Sequence, residues 1–193
     1  MKKNLAVLFA VLMLALAGCS GGKEPSGSGA PSSDPTATPT VEPTEEPKSG
    51  HVVDYKLDVP DGFELIEQEG LDACWYRADG SNINLLVSPK DSTTDLGFQM
   101  ITADILRVTL VEQMKAAYGL EPEINDRYFT KDDVCGLTAY QYSYVMDLDG
   151  QAMMQIIVCV NADEMYTFTF TAIDEDTLAA FDECAKNIQL ILE

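Results

Sequence analysis

The chain has 193 residues, 46% of them hydrophobic, and carries 12 Lys and Arg against 32 Asp and Glu for a formal net charge of −20. An acidic excess of this size excludes nucleic acid and anionic membrane surfaces as electrostatic partners, because both are bound through clustered basic side chains. Its five cysteines and one histidine show no close-spaced pair, which excludes zinc-clip and redox-pair chemistry.

Met1, Lys2 and Lys3 precede an apolar run from Leu5 to Ala17, the basic start and short core of an export signal. The run is shorter than the roughly 20 apolar residues needed to span hydrocarbon. It ends Leu16-Ala17-Gly18-Cys19, an order of small residues that resembles the lipobox of bacterial lipoproteins. That resemblance implies a signal peptide over 1–18, cleavage before Cys19, and a diacylglyceryl group on its thiol. Two acyl chains anchor stably where one is marginal, since each buried CH₂ contributes roughly 0.8 kcal/mol. The implied location is the bacterial cell envelope, lipid-anchored on the outer side of the cytoplasmic membrane. An ordinary secretory signal with an incidental cysteine is the competing reading.

From Ser20 to Gly50 there is no apolar periodicity, and six of the nine prolines lie here among Gly, Ser, Thr and Glu. Such a segment cannot recover its ordering entropy, so residues 19–50 read as a lipidated cysteine followed by a disordered tether. In extended polyproline form it would reach roughly 90–100 Å, and as a flexible coil about 30 Å.

His51 to Glu193 has the length of one domain, with 8 Lys and Arg against 27 Asp and Glu. The stretch 51–60 alternates weakly and ends at Pro60-Asp61-Gly62, a turn signal. Residues 63–68 and 72–78 read as short strands, and Asp79-Gly80 turns into the strand 82–88, closed by Pro89. Phe98 to Tyr118 carries Ile101, Ile105, Val108, Val111 or Glu112, and Met114 at helical spacing, which predicts one long helix capped by Gly119. Residues 136–173 then predict three antiparallel strands. Asp149-Gly150 is a two-residue hairpin turn, and Asn161 to Glu164 forms the next turn. Tyr166, Phe168 and Phe170 point to one side of the last strand, Thr167, Thr169 and Thr171 to the other. The middle strand is apolar on both sides, with Met154, Ile156, Val158 and Val160 opposite Met153, Ile157 and Cys159, which predicts a central strand covered twice. Leu178, Phe181, Ala185, Ile188 and Leu192 share a stripe of a closing helix. Asp174, Glu175 and Asp176 stand at its start and Lys186 toward its end, as the helix dipole favours.

The expected fold is therefore α+β, an antiparallel sheet flanked by helices. Taken with "VPDGFEL" at the entry, "NINLLVS" before the helix, and "GLTAYQYSY", "QAMMQIIVCV", "YTFTFTA" and "FDECAKNIQLI" after it, the element order resembles the PsbP-like α/β/α sandwich. That resemblance implies a non-enzymatic accessory or binding domain, and it transfers no functional residue.

The residues offer few reactive groups. His51 stands at the tether junction, badly placed to activate a nucleophile. No glycine-rich phosphate loop or dinucleotide fingerprint is present, and no cofactor is expected. Asp147 and Asp149 are the weak metal candidates, through an incomplete calcium-loop pattern that a hairpin turn explains equally well. Asp132-Asp133 and Asp174 to Asp176 read as a loop and a helix start. Tyr140, Tyr142 and Tyr144, with Met146 in line, form an alternating stripe that serves either as a binding patch or as packing beneath a helix. Trp75 and Tyr76 read as core or pocket edge. Cys74, Cys135, Cys159 and Cys184 allow two disulfides in three connectivities, or buried free thiols. The leading functional expectation is a lipoprotein with a non-enzymatic binding or assembly domain and an envelope protein partner. The alternatives are a small-molecule or calcium-binding receptor lipoprotein and, last, a carboxylate-based hydrolase.

Overall fold

The computed structural model describes residues 51–193, with Ser92 and Thr93 described by backbone alone. The expected signal peptide, Cys19 and tether lie outside the described residues. The elements run β1 (Val52–Lys56), β2 (Glu64–Ile66), β3 (Ala73–Tyr76), β4 (Asn82–Ser88), α1 (Ser92–Met100), α2 (Ala103–Tyr118), β5 (Glu123–Val134), β6 (Leu137–Leu148), β7 (Gln151–Asn161), β8 (Met165–Ala172), α3 (Glu175–Lys186) and β9 (Gln189–Leu192).

Seven strands form one sheet in the order β2-β3-β4-β8-β7-β6-β5, with every neighbouring pair antiparallel. β5 to β8 are a continuous meander that returns to lie beside β4. Two of its links are two-residue turns, Cys135-Gly136 (φ 57 and 84°) and Asp149-Gly150 (φ 54 and 82°). Positive φ at both positions matches the right-handed twist of the flanking strands. β1 and β9 pair separately as a two-stranded ribbon.

β7 lies inside this sheet and is covered on both faces, as its double apolar pattern predicts. Met154, Ile156, Val158 and Val160 join Phe168, Phe170, Phe181, Leu178 and Leu190 in the layer beneath α3 and the β1–β9 ribbon. Met153, Ile157 and Cys159 join Tyr140, Tyr142, Tyr144 and Met146 beneath α1 and α2, where Phe98, Leu106, Leu110 and Met114 are buried. Asp174 caps α3, its carboxylate accepting from Thr177 N at 2.7 Å.

Four expectations are corrected. The single helix over 98–118 is two helices, because Thr102 takes extended backbone and its hydroxyl accepts from Ile105 N at 3.3 Å, capping α2. That cap sets the helix register: Leu106, Leu110 and Met114 face inward, while Ile105 and Val108 are exposed. The closing helix stops at Lys186, and Ile188 and Leu192 lie beyond it, the latter in β9. β5 was not expected, since it is an edge strand whose residues are mostly exposed and charged. Asp132 and Asp133 belong to this strand, opposite Ala139 and Thr138, and not to a loop.

Candidate functional site

Strand alternation puts Phe168 and Phe170 on the α3 side, so Thr167, Thr169 and Thr171 face the other way, together with Asn82 and Asn84 of β4. All five are buried, as is Gln155 of β7. Register places Asn82, Thr171, Gln155 and Tyr144 in one row across four adjacent strands. The row is hydrogen-bonded. Gln155 Nε2 donates to Thr171 Oγ1 at 2.8 Å, and Gln155 Oε1 accepts from the Tyr144 hydroxyl. Asn84 Nδ2 donates to Asn82 Oδ1 at 3.0 Å, and Asn82 Nδ2 to the Gly80 carbonyl at 3.0 Å. Tyr142 donates to Asp126 of β5, which also accepts from Arg107 of α2 at 2.7 Å.

The tyrosine stripe is thus interior. Tyr140, Tyr142 and Tyr144 pack beneath α1 and α2, with Phe98 tilted on Tyr140 and Tyr142 against Tyr144. They present no face to solvent, which corrects the binding-patch reading. Burial, then the Asp126 carboxylate, raises the Tyr142 pKa, and burial raises that of Tyr144. Both hydroxyls stay protonated and act as hydrogen-bond donors. The sequence spacing identified the stripe but not its partners, because Asp126 sits on the unanticipated β5.

On the opposite side a groove of about 350 Å³ runs between α3 and the β5–β6 pair, lined by Arg127, Tyr128, Ser143, Ile156, Glu175 and Asp182 among others. Tyr128 donates to Asp182 at 3.1 Å and accepts from Gln141 Nε2 at 2.6 Å. Burial, and next the Asp182 charge, pushes the Tyr128 pKa up to about 12. Glu175 and Asp182 are each ion-paired, to Arg127 at 3.2 Å and Lys186 at 2.7 Å. The groove therefore presents a neutral phenol and two neutralised carboxylates, a polar recess without an activated nucleophile.

The remaining candidates have structural partners. Asp147 accepts from Gly150 N at 2.7 Å, closing the β6–β7 turn, and Asp149 is with Gly150 one of the two positive-φ residues of that turn. Among the described residues no three His, Cys, Asp or Glu side chains gather as a metal site. His51 Nδ1 and Asp163 Oδ2 lie 2.5 Å apart, tying the start of the domain to the β7–β8 turn. Burial raises the Asp163 pKa, but His51 and the Glu164 and Val52 backbone amides outweigh it and hold the carboxyl below its ordinary value. Trp75 packs against the α3-side core, edge-on to Tyr55, and Tyr76 is half-buried. Cys74, Cys135, Cys159 and Cys184 are free thiols, only Cys135 being exposed. A second and wider groove, about 740 Å³, adjoins the edge strand β2, with Leu65, Ile66, Glu67, Glu69 and Leu71 along it. Nothing in the apolar periodicity marks it, because it is built from an acidic hairpin.

The strand order and the two helical layers define a PsbP-like α/β/α sandwich. Among solved structures the chain is similar to cyanobacterial PsbP (CyanoP) from Synechocystis sp. PCC 6803, at 16% identity and a TM-score of 0.56, over 71% of this chain and 86% of that one. A looser likeness, at 12% identity and a TM-score of 0.45, is to LpqN of Mycobacterium tuberculosis, described as involved in cell envelope biogenesis, over 76% of this chain and 87% of that one. No protein-family model and no curated protein matches the sequence.

Proposed function

We propose that the protein is a lipoprotein held on the outer side of the cytoplasmic membrane by diacylated Cys19, presenting its domain for non-enzymatic binding or assembly with another envelope protein. The observation that carries this reading is the junction of a lipobox, Leu16-Ala17-Gly18-Cys19, and a proline-rich tether with a PsbP-like domain. Members of that fold group work chiefly as accessory and binding proteins, and Gln155, Thr171, Tyr144 and Tyr142 in the interior are engaged in holding the sheet. Membrane fractionation of the wild type and of Cys19→Ala, with the mass of the processed N-terminus, tests the anchor. The wild type is expected in the membrane fraction with a diacylated first residue, and the variant in the soluble fraction. A variant that stays on the membrane, or an unmodified Cys19 thiol in the wild type, overturns it.

A small-molecule receptor is the second reading, supported by one observation. The amide oxygen of Asn84 and both amide atoms of Gln113 are buried without a hydrogen-bond partner among the described residues. Such groups cost roughly 1–3 kcal/mol when left unpaired, and a polar solute that engages them would stabilise the fold by mass action. A screen of polar metabolites by thermal shift tests it. A rise in Tm that Asn84→Ala abolishes supports the receptor, and a ligand effect unchanged in that variant removes Asn84 from the site.

A further inference from the structure

β2 is one edge of the seven-stranded sheet. Leu65 is 67% exposed and Ile66 38% exposed. Adjacent residues of a strand point to opposite faces, so the edge shows apolar surface on both sides of the sheet at once. Register agrees: Leu65 stands opposite Trp75, which packs into the α3-side core, and Ile66 opposite Cys74 on the next residue of β3. A partner laid on one face would cover one of these side chains. A strand added beside β2 flanks both.

The charge around this edge has one sign. Asp61, Glu64, Glu67, Glu69 and Asp72 fall within 61–72, and no Lys or Arg lies between Lys56 and Arg77. Among the described residues none of these five carboxylates is in an ion pair. The other edge differs. On β5, Asp126 is paired with Arg107, Arg127 with Glu175, and Lys131 donates to the Gln99 carbonyl at 2.7 Å. A bulge between Asp126 and Tyr128 breaks its ladder as well. β5 closes its edge with a bulge and with charges paired inside the domain; β2, three residues long, keeps its charge unpaired and of one sign beside exposed leucine and isoleucine.

We propose that β2 accepts an extended segment of a partner protein as an eighth strand, and that this segment alternates apolar residues with Lys or Arg. Strand addition supplies affinity through main-chain hydrogen bonds, and side chains on the added strand supply specificity. Glu64, Glu67 and Glu69 select cationic partners and steer their approach. A second copy of this chain is the wrong occupant, because pairing β2 with β2 brings two acidic edges of the same sign together. The proposal rests on the binding reading above and names its surface.

The test uses the full chain with Cys19→Ala, so that the outcome is independent of the lipid. The probe is a fluorescein-labelled decapeptide alternating Val and Lys. A Pro-Lys peptide of equal charge, which cannot extend a ladder, and a Val-Glu peptide are the controls. Fluorescence anisotropy is expected to show Val-Lys binding at least about tenfold tighter than either control, and weaker as salt rises. The double variant Glu67→Lys, Glu69→Lys alters exposed residues only and is expected to lose at least about tenfold in affinity; Leu65→Ser should weaken binding in the same direction. Hydrogen exchange is expected to show new protection across 64–66. Equal binding of the Pro-Lys peptide, indifference to both variants, protection elsewhere than β2, or no binding of Val-Lys overturns the proposal. Concentration-dependent dimerisation lost in Leu65→Ser would overturn it in favour of a second copy. In the anchored protein, a photo-crosslinker that captures a protein from position 108 on α2 but not from 65 would overturn the β2 assignment and leave the binding reading standing.

Discussion

Gln155 sits fully buried in the middle of the sheet with both ends of its amide engaged, one by Thr171 and one by Tyr144. Replacing it with leucine keeps the volume but strands two buried hydroxyls, so Gln155→Leu is expected to cost about 1–3 kcal/mol in urea unfolding. Adding Tyr144→Phe should recover part of that loss, since it removes one orphaned donor, and the pair should be non-additive. The cysteines lend themselves to a second measurement. Burial raises the Cys159 thiol to about 11, against the opposing hydrogen bonds of Thr167 and Tyr140. Burial, with the Asp58 charge, raises Cys184 to about 12, and burial raises Cys74. Thiolates are the reactive form. Brief iodoacetamide treatment of the native domain is therefore expected to label Cys135 alone of these four, and all four after denaturation, as read by intact mass. The sequence showed that Gln155 interrupts an apolar face, but not why. Its partners are 11 and 16 residues away on neighbouring strands, and only register brings them together.

At the scale of elements, α2 shows how a correct helix can carry the wrong face. Ile101, Ile105, Val108 and Met114 fit helical spacing, yet one helix ends at Met100 and Thr102 caps the next; Ile101 and Met114 stay buried, while Leu106 and Leu110 take the inward places expected of Ile105 and Val108. Both stripes are apolar in sequence, so periodicity alone had no means of choosing between them; the cap chooses. Leu110→Ala is expected to cost about 2–5 kcal/mol, Thr102→Ala about 1 kcal/mol, and Val108→Ser, at a residue 59% exposed, under about 0.5 kcal/mol. Chemical denaturation of the three variants checks the order, and a costly Val108→Ser would put the sequence-derived face back inside. β6, β7 and β8 were legible because their alternation is strong and Asp149-Gly150 marks a turn. β5 was hidden by its own edge position, where exposed charge removes the alternation that announces a strand. The 740 Å³ recess beside β2 was hidden for a related reason, since acidic hairpin residues read as a solvated loop.

For the whole molecule, charge governs the response to solvent. The domain's 27 acidic residues against 8 basic ones give self-repulsion that salt screens, so modest ionic strength is expected to raise Tm. Acid acts differently. At Asp79, burial raises the carboxyl pKa, but Arg77 and the Ser81 amide outweigh it; at Asp174, the Thr177 amide and hydroxyl lower it. Asp163 is lowered in the same way by His51 and two backbone amides. A carboxyl whose folded pKa is depressed contributes stability that is present above the unfolded value, near about 4, and is lost as pH falls through the folded value. Thermal unfolding followed by circular dichroism should thus show a Tm that drops below about pH 4, with a shallower drop in Asp163→Asn. The layered architecture was readable at this scale, because the strands at its centre are the most strongly patterned segments. The β1–β9 ribbon was not, since each strand is short and the two lie at opposite ends of the domain sequence.

That ribbon also decides how the domain meets mechanical load. Glu193 N donates to the His51 carbonyl at 3.0 Å, and Val52 stands opposite Leu192. A pull transmitted through residue 50 reaches this end of the pair first and peels it bond by bond, each worth about 1 kcal/mol net, while the meander of β5 to β8 takes none of the strain. In an optical trap, a stretch applied ahead of His51 should give a small early extension as β1 lifts away, before the main rip. Stiffening that fastening with a disulfide between positions 52 and 192 should erase the early step.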